Sequence, residues 1–276
     1  MLRITVLMEN SPSANKALIN EHGLSLILDA DGYRLLFDCG SGAHFMHNAH
    51  KLGINLTALD GIILSHSHYD HAAGFRDFVE AGYRSPALYV GKGFFDRKFS
   101  KKGSVYTDLS AGWDVSFASA HGFKVHMVSG TMEIAPGISI HQGFPRTHEE
   151  ETIPNRFVKE TGRGFVPDDF SDEIALSIKT TEGLVVIAGC SHPGIMNMID
   201  EIQKRTKERI YAVIGGTHLT EADEERTRRS IQALDSTGAE IIGLCHCSGL
   251  NAEEMAREVL GGRASSIVPG DTIVIR

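Results

Sequence analysis

Leu64-Ser-His-Ser-His-Tyr-Asp-His-Ala-Ala-Gly74 is the stretch that decides the fold of this chain. It contains three histidines and one aspartate within six positions, directly after the apolar run Gly61–Leu64. That run is short and partly β-branched, so it predicts a buried strand. Imidazole and carboxylate groups are costly to bury alone, and both are preferred ligands of zinc, iron and manganese. The stretch therefore predicts a metal site at the end of a strand.

The spacing inside this stretch predicts two metal ions. Side chains alternate along a strand, so His66 and His68 point to the same side and can hold one ion together. Asp70 and His71 follow where the chain must turn, and they can hold a second ion across a cleft. Ions about 3.5–4 Å apart are the usual arrangement in binuclear hydrolases. The alternative is a solvated, histidine-rich loop without metal, but four ligand-type residues behind a buried strand rarely arise by accident.

Three more histidines follow predicted strands in the second half of the chain. They are His192, after the strand predicted over 183–188, His218, after the strand over 210–214, and His246, after the strand over 240–244. A predicted helix follows each of these histidines. One of them alone would more often be a buried histidine with satisfied hydrogen bonds. Because strand, loop histidine and helix recur three times, we expect the three side chains at one sheet edge.

These motifs resemble those of a known family. The run His66–His71 resembles the HxHxDH signature of the metallo-β-lactamase superfamily. Gly189–Ile195, Gly215–Leu219 and Cys245–Gly249 resemble one branch of it, which includes an archaeal dihydropterin synthase. The resemblance extends over Ile4–Pro269. It implies an α+β fold, a four-layer αβ/βα sandwich with the site along the top of both sheets.

The spacing, the strand-end positions and the resemblance together divide the candidate ligands between two ions. The first ion is assigned to His66, His68 and His192, and the second to Asp70, His71 and His246. His246 matches the last ligand of the superfamily pattern. His218 is left as an extra ligand or a proton donor. Where relatives outside this branch have a bridging aspartate, this chain has Cys190, which either bridges the ions as a thiolate or is a packed thiol beside bridging solvent.

The region from His141 to Phe170 offers competing ligands. Many superfamily members have the third histidine of the first site near this point, so His141 and His148 stay open as ligands. We favour His192, because it follows an apolar strand that fixes its position. The segment around His141 and His148 is expected to be a charged, mobile rim, where ordering an imidazole would cost more entropy. Arg146 matches an arginine of the branch, and we expect it to bind an anionic group of the substrate.

The composition is that of an ordinary soluble globular protein. The 276 residues are 42% hydrophobic and 22% charged, which is enough for a sizeable core. A formal net charge of -8 argues against a general nucleic-acid or anionic-membrane binder. The sequence shows neither a signal peptide nor an apolar run of membrane-spanning length. We therefore expect a cytoplasmic protein with a small anionic molecule as its partner, and leave the oligomeric state open.

The chain is predicted to form a single domain over residues 1–276. Two stretches, about 91–122 and 141–170, lack a regular pattern, and we interpret them as insertions that shape the substrate site or as solvated loops. Short strands of a second sheet are predicted over 124–128, 131–135 and 138–141.

The predicted activity depends on the metals. We expect two divalent metal ions, with zinc favoured and manganese or iron open. A metal-bound hydroxide would attack a small anionic substrate, either a phosphoester or an ester-like compound. Asp70 would orient the water and His218 would protonate the leaving group. The alternatives are a pterin-forming condensation, as in the archaeal relative, and a metal-containing ligand-binding or regulatory protein without turnover.

Overall fold

The computed structural model describes residues 1–276, and its strands and helices follow the apolar runs of the sequence. The strands are β1 (Leu2–Met8), β2 (Ser25–Ala30), β3 (Tyr33–Phe37), β4 (Gly61–Leu64), β5 (Ala87–Gly91), β6 (Lys98–Lys102), β7 (Val105–Asp108), β8 (Lys124–Val128), β9 (Thr131–Ala135), β10 (Ile138–Gln142), β11 (Phe157–Thr161), β12 (Gly164–Pro167), β13 (Ile174–Lys179), β14 (Leu184–Ala188), β15 (Ile210–Gly215), β16 (Ile241–Leu244), β17 (Ala264–Ser266) and β18 (Thr272–Ile275). The helices are α1 (His44–Lys51), α2 (Tyr69–Ala72), α3 (Gly74–Glu80), α4 (Val115–Ala120), α5 (Ile195–Thr206), α6 (Glu224–Ser236) and α7 (Leu250–Leu260).

Two seven-stranded mixed sheets contain most of these strands. The first has the order β18-β1-β2-β3-β4-β5-β8, and the second has the order β17-β16-β15-β14-β13-β10-β9. In the first sheet β3, β4, β5 and β8 are parallel, and in the second β14, β15, β16 and β17 are parallel. Because parallel strands end on the same side, each sheet has one edge at which several loops meet.

The sheets face each other across an apolar core, and helices cover their outer faces. The central core combines strand residues of both sheets, among them Ile63 of β4 and Ile187 of β14. A second cluster joins the first sheet to α1, α3 and α4. A third joins the second sheet to α5, α6 and α7. No helix combines the length and the hydropathy that crossing a membrane requires. The layers are helix, sheet, sheet and helix, so the predicted α+β four-layer sandwich is confirmed.

Strand β14 shows why the central strands are apolar throughout. Val185 and Ile187 point into the central core, whereas Leu184, Val186 and Ala188 pack against the helices on the outer face. All five are buried because both faces of the sheet are covered. This burial holds the carboxyl end of β14, and the loop after it, in a defined place.

The turn between β2 and β3 follows its sequence signal. Asp31 and Gly32 both have positive φ, 46° and 92°, as a type I′ turn requires. The strands on either side pair antiparallel, with Ala30 opposite Tyr33. The hairpin predicted from Asp31-Gly32 is confirmed.

The two stretches that we interpreted as insertions join in a third, four-stranded sheet. Its order is β12-β11-β6-β7, so each stretch contributes one hairpin. β11 pairs with β6, with Phe157 opposite Ser100. The sequence did not indicate this pairing, because the partners are far apart in the chain and one of the strands, β7, is exposed throughout. The single-domain organisation over 1–276 stays a prediction.

The strand over 124–128 was assigned to the wrong sheet. β8 pairs parallel with β5 in the first sheet, with Leu88 opposite Val125. Helix α4 lies between the two in sequence, as a parallel connection needs a crossover. The chain passes to the second sheet after β8, where Gly130 has a φ of 71°.

Candidate metal centre

The loops after the parallel strands bring the histidines of the sequence motifs together. β4 ends at Leu64, directly before His66 and His68. Asp70 and His71 lie on the short helix α2, which turns the chain away from the sheet. All four side chains are buried. The second sheet contributes three strand-end loops, and these carry the remaining candidates, His192, His218 and His246.

His66, His68 and His192 form one donor set. One donor atom of each lies within 4.8 Å of the other two. The Nε2 atoms of His66 and His68 are buried and have no hydrogen-bond partner in the protein. Burying a polar group without a partner is costly, and a metal ion would compensate for it. The side chains present therefore fit a divalent ion at this position.

Glu173 and Phe170 hold His192 in place. The Glu173 carboxylate accepts hydrogen bonds from the backbone N–H of His192 (3.0 Å) and lies 2.8 Å from its Nδ1. A proton on Nδ1 leaves Nε2 free to bind a metal. Phe170 stacks on the imidazole, with ring centroids 3.7 Å apart. Burial raises the pKa of Glu173 to about 8, so a cation nearby would favour its ionised form.

Asp70, His71 and His246 form a second donor set. The Nε2 atoms of His71 and His246 are 3.0 Å apart. Oδ2 of Asp70 lies 3.3 Å from Nε2 of His246 and 3.8 Å from Nε2 of His71. Burial raises the pKa of Asp70, but the charge of His71 and the hydrogen bonds from His22 and His246 outweigh it and hold this pKa well below its usual value. Asp70 is therefore an ionised oxygen donor next to two imidazoles.

Asp38 orients His71 from behind. Its Oδ2 lies 2.6 Å from Nδ1 of His71 and accepts a hydrogen bond from the Ser65 hydroxyl at 2.7 Å. Burial lowers the pKa of His71, but Asp38 and Asp70 raise it, to about 9. An imidazole must be deprotonated at the nitrogen that binds a metal, so ion binding here would release a proton from Nε2.

Cys190 lies between the two donor sets. Its Sγ is 3.1 Å from Nε2 of His71, and it also groups with His66 within 4.8 Å. A side chain at the preceding Gly189 would not fit, because its Cβ would lie 2.2 Å from Oγ of Ser65. The position of Cys190 is compatible with a bridging thiolate and with a packed thiol, so both interpretations stand.

Three residues of these loops have a strained backbone. The φ angles of Ser191, His218 and His246 are 61°, 49° and 55°. Residues other than glycine rarely adopt such angles, and they cluster at functional sites. Glu9 contributes to holding one of these loops, since its carboxylate accepts a hydrogen bond from the backbone N–H of His246 at 2.7 Å.

A cleft of about 260 Å³ opens over both donor sets. His218 lines it beside His192, with ring centroids 4.4 Å apart, but belongs to neither donor set. Burial lowers the pKa of His218 to about 4, so its ring is neutral at neutral pH. Phe157 and Arg156, both from the second insertion, also line the cleft.

A family model of the metallo-beta-lactamase superfamily matches residues 20–194. The chain belongs to the metallo-beta-lactamase superfamily. The resemblance drawn from the motif His66–His71 is thereby confirmed. The superfamily fold implies divalent metal binding, and the grouped donor atoms of this chain fit it.

Two known proteins are similar over nearly the whole chain. The 7,8-dihydropterin-6-methyl-4-(beta-D-ribofuranosyl)-aminobenzene-5'-phosphate synthase of Methanocaldococcus jannaschii is 31% identical, in a match that covers 93% of this chain and 91% of the synthase. The crystal structure of Tm1679, a metal-dependent hydrolase of the beta-lactamase superfamily, is similar with a TM-score of 0.86 at 29% identity. The match covers 100% of this chain and 99% of Tm1679. This chain is thus similar both to a synthase and to a metal-dependent hydrolase.

The two alternative ligand candidates, His141 and His148, lie away from the donor sets. His141 is buried, with Nδ1 3.1 Å from the Thr131 hydroxyl and Nε2 2.8 Å from the Ser177 hydroxyl. His148 is half-buried at the surface, with Nε2 2.7 Å from Asp200. Both imidazoles therefore have protein partners, and neither belongs to the grouped metal donors.

Arg146 does not line the cleft. Its guanidinium donates to the backbone carbonyls of His192 (3.0 Å) and Asp169 (3.1 Å). These bonds fix the loop that carries His192. A role in binding substrate stays a prediction for Arg146, and Arg156 is the arginine that lines the cleft.

Several residues of the centre were absent from the sequence prediction. Asp38 directly follows the apolar strand β3, the same signal that identified His66, so it could have been found. Glu173 precedes β13 beside another acidic residue, and nothing in that pattern indicates burial. His22 lies 3.0 Å from Asp70 through its Nε2 atom, yet it comes from an irregular loop without any periodicity.

We predict two metal ions per chain, one for each donor set. His66→Ala should weaken the first ion and Asp70→Ala the second, since each removes a buried donor of one set. Elemental analysis of the purified, reconstituted proteins measures this directly. A wild-type protein that holds at most one ion per chain contradicts the two-ion assignment.

We also predict that His192, and neither His141 nor His148, completes the first donor set. His192→Ala should lose one ion. Glu173→Gln should weaken the same ion about 10- to 100-fold, because partners that orient a ligand contribute that much to metal affinity. His141→Ala and His148→Ala serve as matched controls with full metal content. Loss of an ion from either control, together with retention of both ions in His192→Ala, would show that the assignment is wrong.

Proposed function

We propose that this protein is a binuclear metal-dependent hydrolase of a small anionic substrate, a phosphoester or an ester-like compound. The observation that carries the proposal is the pair of donor sets beneath one cleft. One set is His66, His68 and His192, and the other is Asp70, His71 and His246. The similarity to Tm1679, a metal-dependent hydrolase, supports the same reaction class.

The metals would supply the part of the chemistry that the side chains cannot. Two divalent ions at such a centre act as Lewis acids and activate water near neutral pH, and zinc, manganese and iron all suit imidazole and carboxylate donors. The protein contributes rigid positions for these donors. Asp38 and Glu173 fix the ring orientations of His71 and His192 through their Nδ1 atoms.

Asp70 and His218 are the residues that we propose to handle protons. Asp70 is itself a donor of the second set, and its carboxylate would also accept a hydrogen bond from a water molecule beside the ion. His218 lines the cleft with a neutral ring, so a ring nitrogen would first accept the proton that the attacking water loses and then transfer it to the leaving group. His218 would thus act as the general acid that we expected from the amino-acid sequence, although its ring is neutral before the reaction begins.

Arg156 is our candidate for recognising the anionic part of the substrate. It is the one arginine or lysine that lines the cleft. Its guanidinium lies 3.9 Å from the centroid of the Phe157 ring, and its Nε donates to Glu221 at 3.1 Å. A phosphate or carboxylate of the substrate could replace Glu221 on this planar group, which suits bidentate anions.

The size of the cleft supports a small substrate. Its volume of about 260 Å³ lies just below the range of about 300–1,000 Å³ that is typical of pockets for drug-sized ligands. The formal net charge of -8 gives no general attraction for nucleic acid. The cytoplasmic location and the absence of nucleic-acid and membrane partners stay predictions, as does the substrate-shaping role of the insertions.

A pterin-forming condensation is the second candidate. Its support is the 31% identity to the archaeal 5'-phosphate synthase, which extends over 93% of this chain. The same contact between Arg156 and an anion would serve this reaction, since a phosphate group is named in the product of that relative. The two candidates differ in whether a second organic substrate is needed for turnover.

We predict that the metal-loaded protein hydrolyses at least one generic phosphodiester or ester, and that a chelator abolishes the activity. A panel of chromogenic substrates, assayed before and after chelation and again after metal is restored, measures this. A panel without any chelator-sensitive turnover contradicts the hydrolase proposal. The condensation, or a binding protein without turnover, would then take precedence.

Within that assay, a pair of arginine variants tests how the anion is recognised. Arg156→Gln should raise KM about tenfold with little change in kcat, which corresponds to the loss of about 1.4 kcal/mol of binding. Arg97→Gln is the matched control, because Arg97 also forms ion pairs on the third sheet but does not line the cleft. Equal effects of both substitutions, or none, contradict the role of Arg156.

A further inference from the structure

His22 approaches the second donor set from the solvent side. Its Nε2 lies 3.0 Å from Oδ2 of Asp70, although 57% of the side chain is exposed. The rings of His22 and His246 have centroids 5.1 Å apart. One donor atom from each of His22, Asp70 and His246 lies within 4.8 Å of the other two. An exposed imidazole thus shares the neighbourhood of two buried candidate ligands.

The backbone around His22 is fixed to the residues that it approaches. The N–H of Leu24 donates to the carbonyl of Asp70 at 3.1 Å. The N–H of Gly23 donates to Oδ1 of Asn10 at 3.1 Å, and the same oxygen lies 2.9 Å from Nδ1 of His246. Asn10 therefore connects the His22 loop to His246 and leaves Nε2 of His246 directed at Asp70.

Gly23 makes this close approach feasible. A Cβ at this position would lie 2.6 Å from the carbonyl oxygen of Asp70 and 3.1 Å from Cα of Gly40. Both neighbours are backbone atoms, which cannot move aside as a flexible side chain could. The loop can lie against the metal motif because the residue after His22 has no side chain.

The surroundings of His22 differ from those of an ordinary surface ion pair. His44 and Glu21 form such a pair, with Nδ1 of His44 2.7 Å from the Glu21 carboxylate and 51% of the His44 side chain exposed. Surface pairs of this kind add little to stability. The partner of His22 is instead a buried carboxylate that already lies beside two other imidazoles.

We propose that His22 is a further protein ligand of the second metal ion, together with Asp70, His71 and His246. This inference depends on the two-ion centre proposed above, but not on hydrolysis. Three imidazoles and one carboxylate form a donor set that suits zinc, manganese or iron. His22 is the exposed member of the set, so it can leave the ion without opening the core.

The test uses cobalt(II) as a spectroscopic probe in the full-length protein. Titration of metal-free wild type, His22→Ala and His22→Gln gives the affinity of each ion and its visible absorption. Both variants should bind the second ion at least about tenfold more weakly and change its absorption band, since removal of one metal ligand costs at least as much as removal of an orienting partner. His44→Ala, the matched exposed histidine, should behave like wild type.

Each other outcome overturns a defined part of the proposal. If His22→Ala keeps the wild-type affinity and spectrum while wild type binds two ions, His22 is not a ligand and the two-ion centre remains. If His22→Gln restores both properties, His22 only donates a hydrogen bond to Asp70, because a glutamine amide retains that bond and is a poor metal ligand. If wild type binds a single cobalt ion, both this inference and the two-ion centre fail.

Discussion

The strongest constraint on this structure is that imidazole nitrogens are buried without a hydrogen-bond partner. Nε2 of His66 and Nε2 of His68 have no hydrogen-bond partner in the protein, and an unpaired buried polar group costs about 1–3 kcal/mol. His141 shows what a structural histidine looks like in the same protein, with a hydroxyl at each ring nitrogen. The contrast indicates that the strand-end histidines are kept for a ligand, and the superfamily fold implies that the ligand is a divalent metal.

The rest of the centre consists of groups that prevent these side chains from rotating. Asp38, Glu173 and Glu9 are buried carboxylates from three different parts of the chain, and each holds one candidate ligand or its backbone. Phe170, from the loop between β12 and β13, stacks on His192. Ligands that are held in advance lose less entropy when an ion binds. Ordering these side chains costs conformational entropy, and the burial of the strands that end here offsets that cost when the chain folds.

Local patterns predicted the parts of the structure that depend on local chemistry. The strand before His66, the turn at Asp31-Gly32 and the strand-end positions of His192 and His246 follow from periodicity and residue type. The third sheet and the position of β8 could not be predicted, because they depend on pairing between distant segments. Glu173 and His22 could not be found for the same reason, since only the folded chain brings them next to a histidine or an aspartate.

Anomalous diffraction from crystals of the zinc-loaded protein, recorded at the zinc edge, tests the central claim most directly. The account predicts two peaks about 3.5–4 Å apart, the spacing of binuclear centres. One peak should contact His66, His68 and His192, and the other should contact Asp70, His71 and His246. A single peak, or a peak bound by His141 or His148 in place of His192, would contradict it.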